Sequence, residues 1–328
     1  MKNNHNIKKE LSSNLFPKKI LSKEKLLLIF IVQIIIKMNT VISTKIIRII
    51  NSKYSYITLK IKLDSPRNAK VYIAHREYGI YSRNFVEPNE IHVNGVNMTN
   101  NNYLQNMDKT ENEIMLIWND NMKTRITSSS YLFRDCYDIT EMDLSYFNMS
   151  EITWMDEMFY NCKALTSIKF GKFSTEKVTT LNSMFYNCSS LEYIDLSSFN
   201  TSKVVTMRLM FYGCWSLKSI NLSNFDVSLV TVMVSMFNNC SSLVSLDLSS
   251  FKKSEVTSLS MSSMFKQCIS LKELDISNFD TSKVTDMSYM FSGCRALTIL
   301  DVSNFKGIKV TDIQYMFANC SSLTSINL

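Results

Sequence analysis

Eight cysteines are the residues whose type and spacing first suggest chemistry: Cys136, Cys162, Cys188, Cys214, Cys240, Cys268, Cys294 and Cys320. They are all the cysteines of the 328-residue chain, and their spacings are 26, 26, 26, 26, 28, 26 and 26. Thiols in such a register can cross-link, bind a metal or pack. Stacked rungs about 5 Å apart fall within the Cα range of a disulfide, but equivalent side chains in a stack point the same way, which is poor disulfide geometry. A metal needs thiolates that converge on a point, whereas these lie on a line. The spacing therefore predicts a ladder of reduced, buried thiols, each filling a tight corner, with no metal and no cofactor.

A second column is acidic. Asp143, Asp195, Asp247, Asp275 and Asp301 share one register, interrupted by Lys169, Asn221 and Asn327. Glu141, Tyr193 and Glu273 stand two residues before three of them. Stacked carboxylates repel, so the column is either satisfied locally or meets a positive ligand. The local reading is an Asp-x-Ser turn, in which each carboxylate takes a backbone amide or a serine hydroxyl. The functional reading is a concave strip for a protein partner. Catalysis has little to build on. The three histidines, His5, His75 and His92, lie outside the repeats, and no phosphate-cradling glycine loop is present. No enzyme activity is expected.

These columns need a repeating scaffold. A fixed period in this range marks a solenoid, each turn stacked on its neighbours. Each unit opens with Leu-x-x-Ile-x-Leu, as in Leu191, Ile194 and Leu196, and its last apolar positions alternate with polar ones as a half-buried strand requires. Val284, Met287, Met290, Phe291 and Cys294 then fall at offsets 0, 3, 6, 7 and 10. That is the apolar face of a short helix, with Thr281 or Ser282 as its N-cap. Asn161, Asn187, Gly213, Asn239, Gly293 and Asn319 precede their cysteines and suit the left-handed residue that stops a helix. A corner phenylalanine follows most strands, including Phe147, Phe173, Phe199, Phe225, Phe251, Phe279 and Phe305. With the phenylalanine of the helix half, this predicts two aromatic stacks. The 28-residue interval places two extra residues between Val256 and Met264, read as a local bulge.

The net charge of +7 is unevenly placed. Residues 1–53 hold 11 Lys/Arg and 2 Asp/Glu, and the remainder holds 25 and 27. The repeats therefore offer no basic footprint for nucleic acid. The basic segment runs into Leu26–Ile36, an apolar run short for a bilayer span and suited to a signal peptide. Residues 1–43 are expected to be a leader, cleaved near Ser43 or kept as an anchor, the only membrane contact expected. Residues 44–112 read as a small β-rich N-terminal cap. Ile57, Leu59, Ile61 and Leu63 mark a period-two strand, Val71–Ile73 and Glu90–Val93 shorter ones, and Asn94-Gly95 a hairpin turn. Glu113–Trp118 fits a degenerate first strand half, so the solenoid is placed at 113–328 with about eight repeats. At its far end Leu323, Ile326 and Leu328 are expected to be exposed, beside an unpaired strand edge.

The pattern LDISNFDTSKVTDMSYMFSGCRAL at 274–297 resembles the 26-residue repeat of BspA-like leucine-rich repeat surface proteins, and the resemblance spans roughly residues 113–328. It implies an α/β solenoid, a leucine-rich-repeat-like horseshoe with one strand and one short helix per turn. It also implies a secreted or cell-surface protein, often an adhesin for host or extracellular-matrix proteins. The expected function is non-enzymatic recognition of a protein through the strand face, at Glu141, Asp143, Tyr193, Asp195, Asp247, Glu273, Asp275 and Asp301. The alternative is an intracellular leucine-rich-repeat scaffold for protein–protein interaction.

Overall fold

The computed structural model describes residues 54–62, 88–97, 111–119, 126–171, 174–251, 260–279, 281–306 and 309–327. The leader, Val71–Ile73, Phe173, Val256 and Leu328 lie outside them. The chain opens with four strands: β1 (Tyr54–Lys62), β2 (Glu90–Val93), β3 (Val96–Asn97) and β4 (Glu111–Asn119). The coils then supply β5 (Ile139–Tyr146), β6 (Ser167–Lys169), β7 (Tyr193–Asp195), β8 (Ser219–Asn221), β9 (Ile299–Asp301) and β10 (Ser325–Asn327). Asn94 and Gly95 turn the β2–β3 hairpin with positive φ, as a tight two-residue turn requires.

The cap is continuous with the coils. One six-stranded sheet has the order β3-β2-β4-β1-β5-β6. β1 pairs antiparallel with both β4 and β5, and β5 pairs parallel with β6. This corrects the placement of Glu113–Trp118. That segment is part of β4, and β1 separates it from β5, so it is not a first strand half stacked on the next. β1 alternates inward Ile57, Leu59 and Ile61 with outward Thr58 and Lys60, which lets it close the first coil's open side.

The half read as a helix is a run of tight turns, and no α-helix occurs among the described residues. In the coil of Cys162, the N–H groups of Met155, Glu157, Phe159 and Asn161 donate to Thr180, Asn182, Met184 and Tyr186 of the next coil, at 3.2, 2.9, 2.9 and 2.7 Å. The N–H groups of Met158, Tyr160 and Cys162 donate within the coil, three residues back. Glu157 and Asn161 have positive φ, and so do Ser183 and Asn187, and Leu209 and Gly213. A left-handed residue every fourth position prevents a helix from propagating, and it turns alternate amides outward along the stack. Bridges join the coils at Ser128, Trp154, Thr180, Thr206, Val232, Ser260, Asp286 and Asp312. Thr281 is not an N-cap. Its hydroxyl accepts the Lys306 amide of the next coil at 2.8 Å. The left-handed Asn and Gly residues before the cysteines are present, but they separate turns rather than stop helices.

Inside, Phe133, Phe159, Phe185, Phe211, Phe237, Phe265, Phe291 and Phe317 stack with centroids 5.3–5.9 Å apart. Of the corner phenylalanines, Phe147, Phe199, Phe225, Phe251 and Phe279 are buried and Phe305 is half-buried, and Phe251 stacks on Phe279 at 6.1 Å. At roughly 1.5–3 kcal/mol for each large side chain buried, these columns and the Met and Leu beside them are the main cohesive force between coils. The turn side repeats at close to the ~4.8 Å of paired strands.

Candidate partner-binding face

The outward positions of the strand side lie five and seven residues after each cysteine. β7 and β9 show why: the middle residue is buried and the flanking two are exposed. Tyr193 and Asp195, and Ile299 and Asp301, therefore face solvent. The side expected to be one continuous sheet is divided. β7 pairs only with β8 and β9 with β10, and Ser245–Asp247 and Glu273–Asp275 between them are not strands. Asp247, Glu273 and Asp275 still project outward, because Leu246 and Leu274 fill the core column.

Each aspartate closes a local turn. Asp143, Asp195, Asp247, Asp275 and Asp301 accept the amide two residues on, from Ser145, Ser197, Ser249, Ser277 and Ser303, at 2.8–3.0 Å. Asn221 does the same with Ser223 at 3.1 Å. These serine bonds hold the carboxyls of Asp195, Asp247, Asp275 and Asp301 below the usual carboxylate range. The four are therefore anionic at neutral pH. Folding lowers their pKa, so the stability they contribute is present above the ordinary value of 3.8 and is lost as pH falls through the lowered values. Replacing them with Asn keeps the turn, as Asn221 demonstrates. Urea midpoints between pH 5 and pH 2 are expected to fall less steeply in that variant than in the parent.

Two of the expected site residues, Glu141 and Asp143, stay on the outward side, half-buried and each in an ion pair. Glu141 and Asp143 sit on β5 opposite Lys60 and Thr58 of β1. Glu141 is paired with Lys60, and Asp143 with Lys169 at 3.2 Å. This neighbouring strand is distant in sequence, with Lys60 and Glu141 81 residues apart, so the repeat alone gave no sign of it. What the repeat reading missed is apolar. Trp215, Val244 and Ile269 are 56, 45 and 38 % exposed on three consecutive coils, Trp215 and Ile269 one residue after their cysteines and Val244 four after its own. The signal was available: Trp215 and Ile269 directly follow their cysteines, where other coils carry Lys163, Ser189, Ser241 and Arg295.

The thiols form the expected column. Cys136 to Cys294 are buried, Cys320 is half-buried, and all are free. From Cys162 onward, each Sγ–H donates to the phenylalanine carbonyl of the preceding coil at 3.1–3.2 Å. Burial pushes Cys214 and Cys294 up to about 12. Cys162, Cys188, Cys240 and Cys268 are raised by the same cause. Protonated, hydrogen-bonded thiols are poor nucleophiles and poor ligands. Maleimide labelling is expected to modify Cys320 first and the other seven only in denaturant. These raised values favour the fold below the ordinary thiol value of 9.0, so stability should decline as pH rises above it. His92 is buried with Nε2 3.1 Å from Glu90, and His5 and His75 lie outside the described residues.

A family model described as "Mycoplasma protein of unknown function, DUF285" matches residues 90–169, 127–245 and 245–327. No curated protein matches the chain. Two solved structures are similar to it. The Treponema pallidum leucine-rich repeat protein TpLRR is 20% identical, with a TM-score of 0.36 over 51% of this chain and 69% of that one. A leucine-rich repeat protein from Eubacterium ventriosum is 18% identical, with a TM-score of 0.23 over 60% of this chain and 68% of that one.

Proposed function

The chain belongs to the DUF285 family, and from that premise we propose that it is a non-enzymatic recognition protein, displayed outside the cell, that binds a protein partner with its strand side. The family carries no assigned activity, so the reading rests on surface chemistry. The observation that carries it is the content of the outward strand positions from Tyr193 to Asp301. They hold the carboxylates of Asp195, Asp247, Glu273, Asp275 and Asp301 and no cation, with exposed Tyr193 and Ile299 among them. Packing holds the inward columns to Leu, Ile, Met, Phe and Cys, while these outward positions are free to vary from coil to coil. Extended faces of this kind are what repeat proteins use for binding.

The likeness of the repeat to BspA-like surface proteins supports an adhesin, and the basic and apolar residues before Ser43 support export. The test combines two measurements. A tagged full-length chain should be secreted, with a mature N-terminus near Ser43. It should also bind at least one of a panel of extracellular-matrix proteins. Changing Tyr193 and Glu273 to Ser, and Asp195, Asp247 and Asp275 to Asn so that each turn is kept, should abolish that binding in a protein that still folds. Unchanged affinity in the folded variant would remove the strand side as the site. One observation favours the alternative of an intracellular scaffold: eight thiols, all free. Retention of the tagged chain in the cytosol would decide for it.

A further inference from the structure

We propose that Tyr186 and Tyr212, on neighbouring coils of the turn side, are a site of oxidative cross-linking to dityrosine, with a one-electron oxidant of the peroxidase class as co-substrate. The site lies on the turn side and does not depend on what the strand side binds.

The coil stack builds the pair. Tyr160, Tyr186 and Tyr212 stand two residues before Cys162, Cys188 and Cys214, so one register puts a phenol on each of three consecutive coils. Their rings stack with centroids 4.5 and 4.7 Å apart and planes 5° from parallel. The carbonyls of Tyr186 and Tyr212 accept the Asn161 and Asn187 amides of the preceding coils, each at 2.7 Å, which fixes the step between rings. All three tyrosines are half-buried, so a ring edge is open to an oxidant and each hydroxyl proton has a path to solvent.

Stacking suits the coupling. Each phenol gives one electron to the oxidant and its hydroxyl proton to solvent. The two phenoxyl radicals join at ring carbons ortho to the oxygens. The new bond forms along the normal to the rings, the direction in which stacked rings already face each other. Each joined carbon then releases its hydrogen as a proton while each oxygen regains one, so both rings end as aromatic phenols. The net loss of two electrons and two protons reduces one hydrogen peroxide to two waters. The link ties residues 26 apart on adjacent coils, closing a loop as a disulfide does.

Charge and burial choose the pair. The Arg134 guanidinium lies 4.3 Å from the Tyr160 ring centroid, and a cation on a ring face makes electron loss harder. Lys266 does the same to Tyr289, at 4.4 Å, in the stacked pair Tyr289–Tyr315. In the pair Tyr56–Tyr146, burial raises the Tyr56 phenol well above its ordinary value and so holds the proton that coupling must release; it raises Tyr186 less. Thiols repair phenoxyl radicals, but Cys188 and Cys214, the thiols of the two coils, are buried and held protonated.

The test treats the folded full chain with a haem peroxidase and hydrogen peroxide, isolates the monomer, and reads dityrosine fluorescence and tandem mass spectra of tryptic peptides. Arg208 lies between the two tyrosines, so trypsin separates them unless they are joined. The expected product joins their two peptides at a mass two hydrogens below the sum. Phenylalanine keeps the ring and removes the phenol. Y186F and Y212F should therefore each lose this product, and Y160F should keep it. Treatment in urea at a concentration that unfolds the chain should abolish the preference for this pair. A folded monomer without the Tyr186–Tyr212 link, with that link no more frequent than one at Tyr289–Tyr315, or with the same preference when unfolded would overturn the inference.

Discussion

Phe211→Ala is expected to lower the unfolding free energy by about 3–5 kcal/mol, the range for deleting a fully buried aromatic ring. The ring lies between Phe185 at 5.4 Å and Phe237 at 5.5 Å, nearly parallel to both. Its backbone is committed too: the amide donates to Met236 at 2.9 Å, and the carbonyl accepts the Cys240 thiol at 3.2 Å. The loss therefore falls on two coil–coil interfaces at once. In a stack whose stability is a sum over coils and their interfaces, a weak central joint also lowers cooperativity. Urea unfolding followed by circular dichroism should show an earlier midpoint and a shallower slope. Phe317→Ala provides the comparison. Phe317 is half-buried and stacks on Phe291, so its loss should cost clearly less. Equal shifts for the two variants would contradict an additive stack.

The stacking was legible because cysteine and phenylalanine repeat at one interval in every coil, and packing columns require that. The turn side was misread for a physical reason. Apolar offsets of 0, 3, 6, 7 and 10 fit a helix, yet successive tight turns bring the same offsets inward. The distinguishing feature lies elsewhere: Glu157, Ser183, Leu209 and Ser263 are left-handed without being glycine, which no propensity scale anticipates. The cap was misjudged where pairing is non-local. Glu113–Trp118 alternates as a coil strand would, but β1 takes both β4 and β5 as partners. The same strand sets Lys60 against Glu141 on the outward side of the sheet. Asp195, Asp247, Asp275 and Asp301 were legible as outward because strand alternation fixes them. Trp215, Val244 and Ile269 occupy positions to which the repeat pattern assigns no role, because most other coils carry Lys, Ser, Arg, Thr or Glu there.

Ser263 tests the turn architecture directly, through the opposite effects of two substitutions. Ser263 has φ 58°, and its amide donates to the Ser288 carbonyl of the next coil at 2.8 Å. Ser263→Pro forces φ to about −65° and deletes that donor, so a loss of about 3 kcal/mol or more is expected. In a helix interior, Ser263→Gly would also destabilise, by about 0.5 kcal/mol. Here glycine relieves a left-handed conformation that costs an L-residue about 1–2 kcal/mol. Against that stands the extra freedom glycine brings to the unfolded chain, about 0.5–1 kcal/mol. The net expectation is no change or a gain of up to about 1.5 kcal/mol. Chemical denaturation of the two variants beside the parent reads both signs in one experiment. A glycine variant less stable than the parent by the helical amount would mean that Ser263 is not left-handed, and the coil-to-coil amide ladder through that position would fall with it.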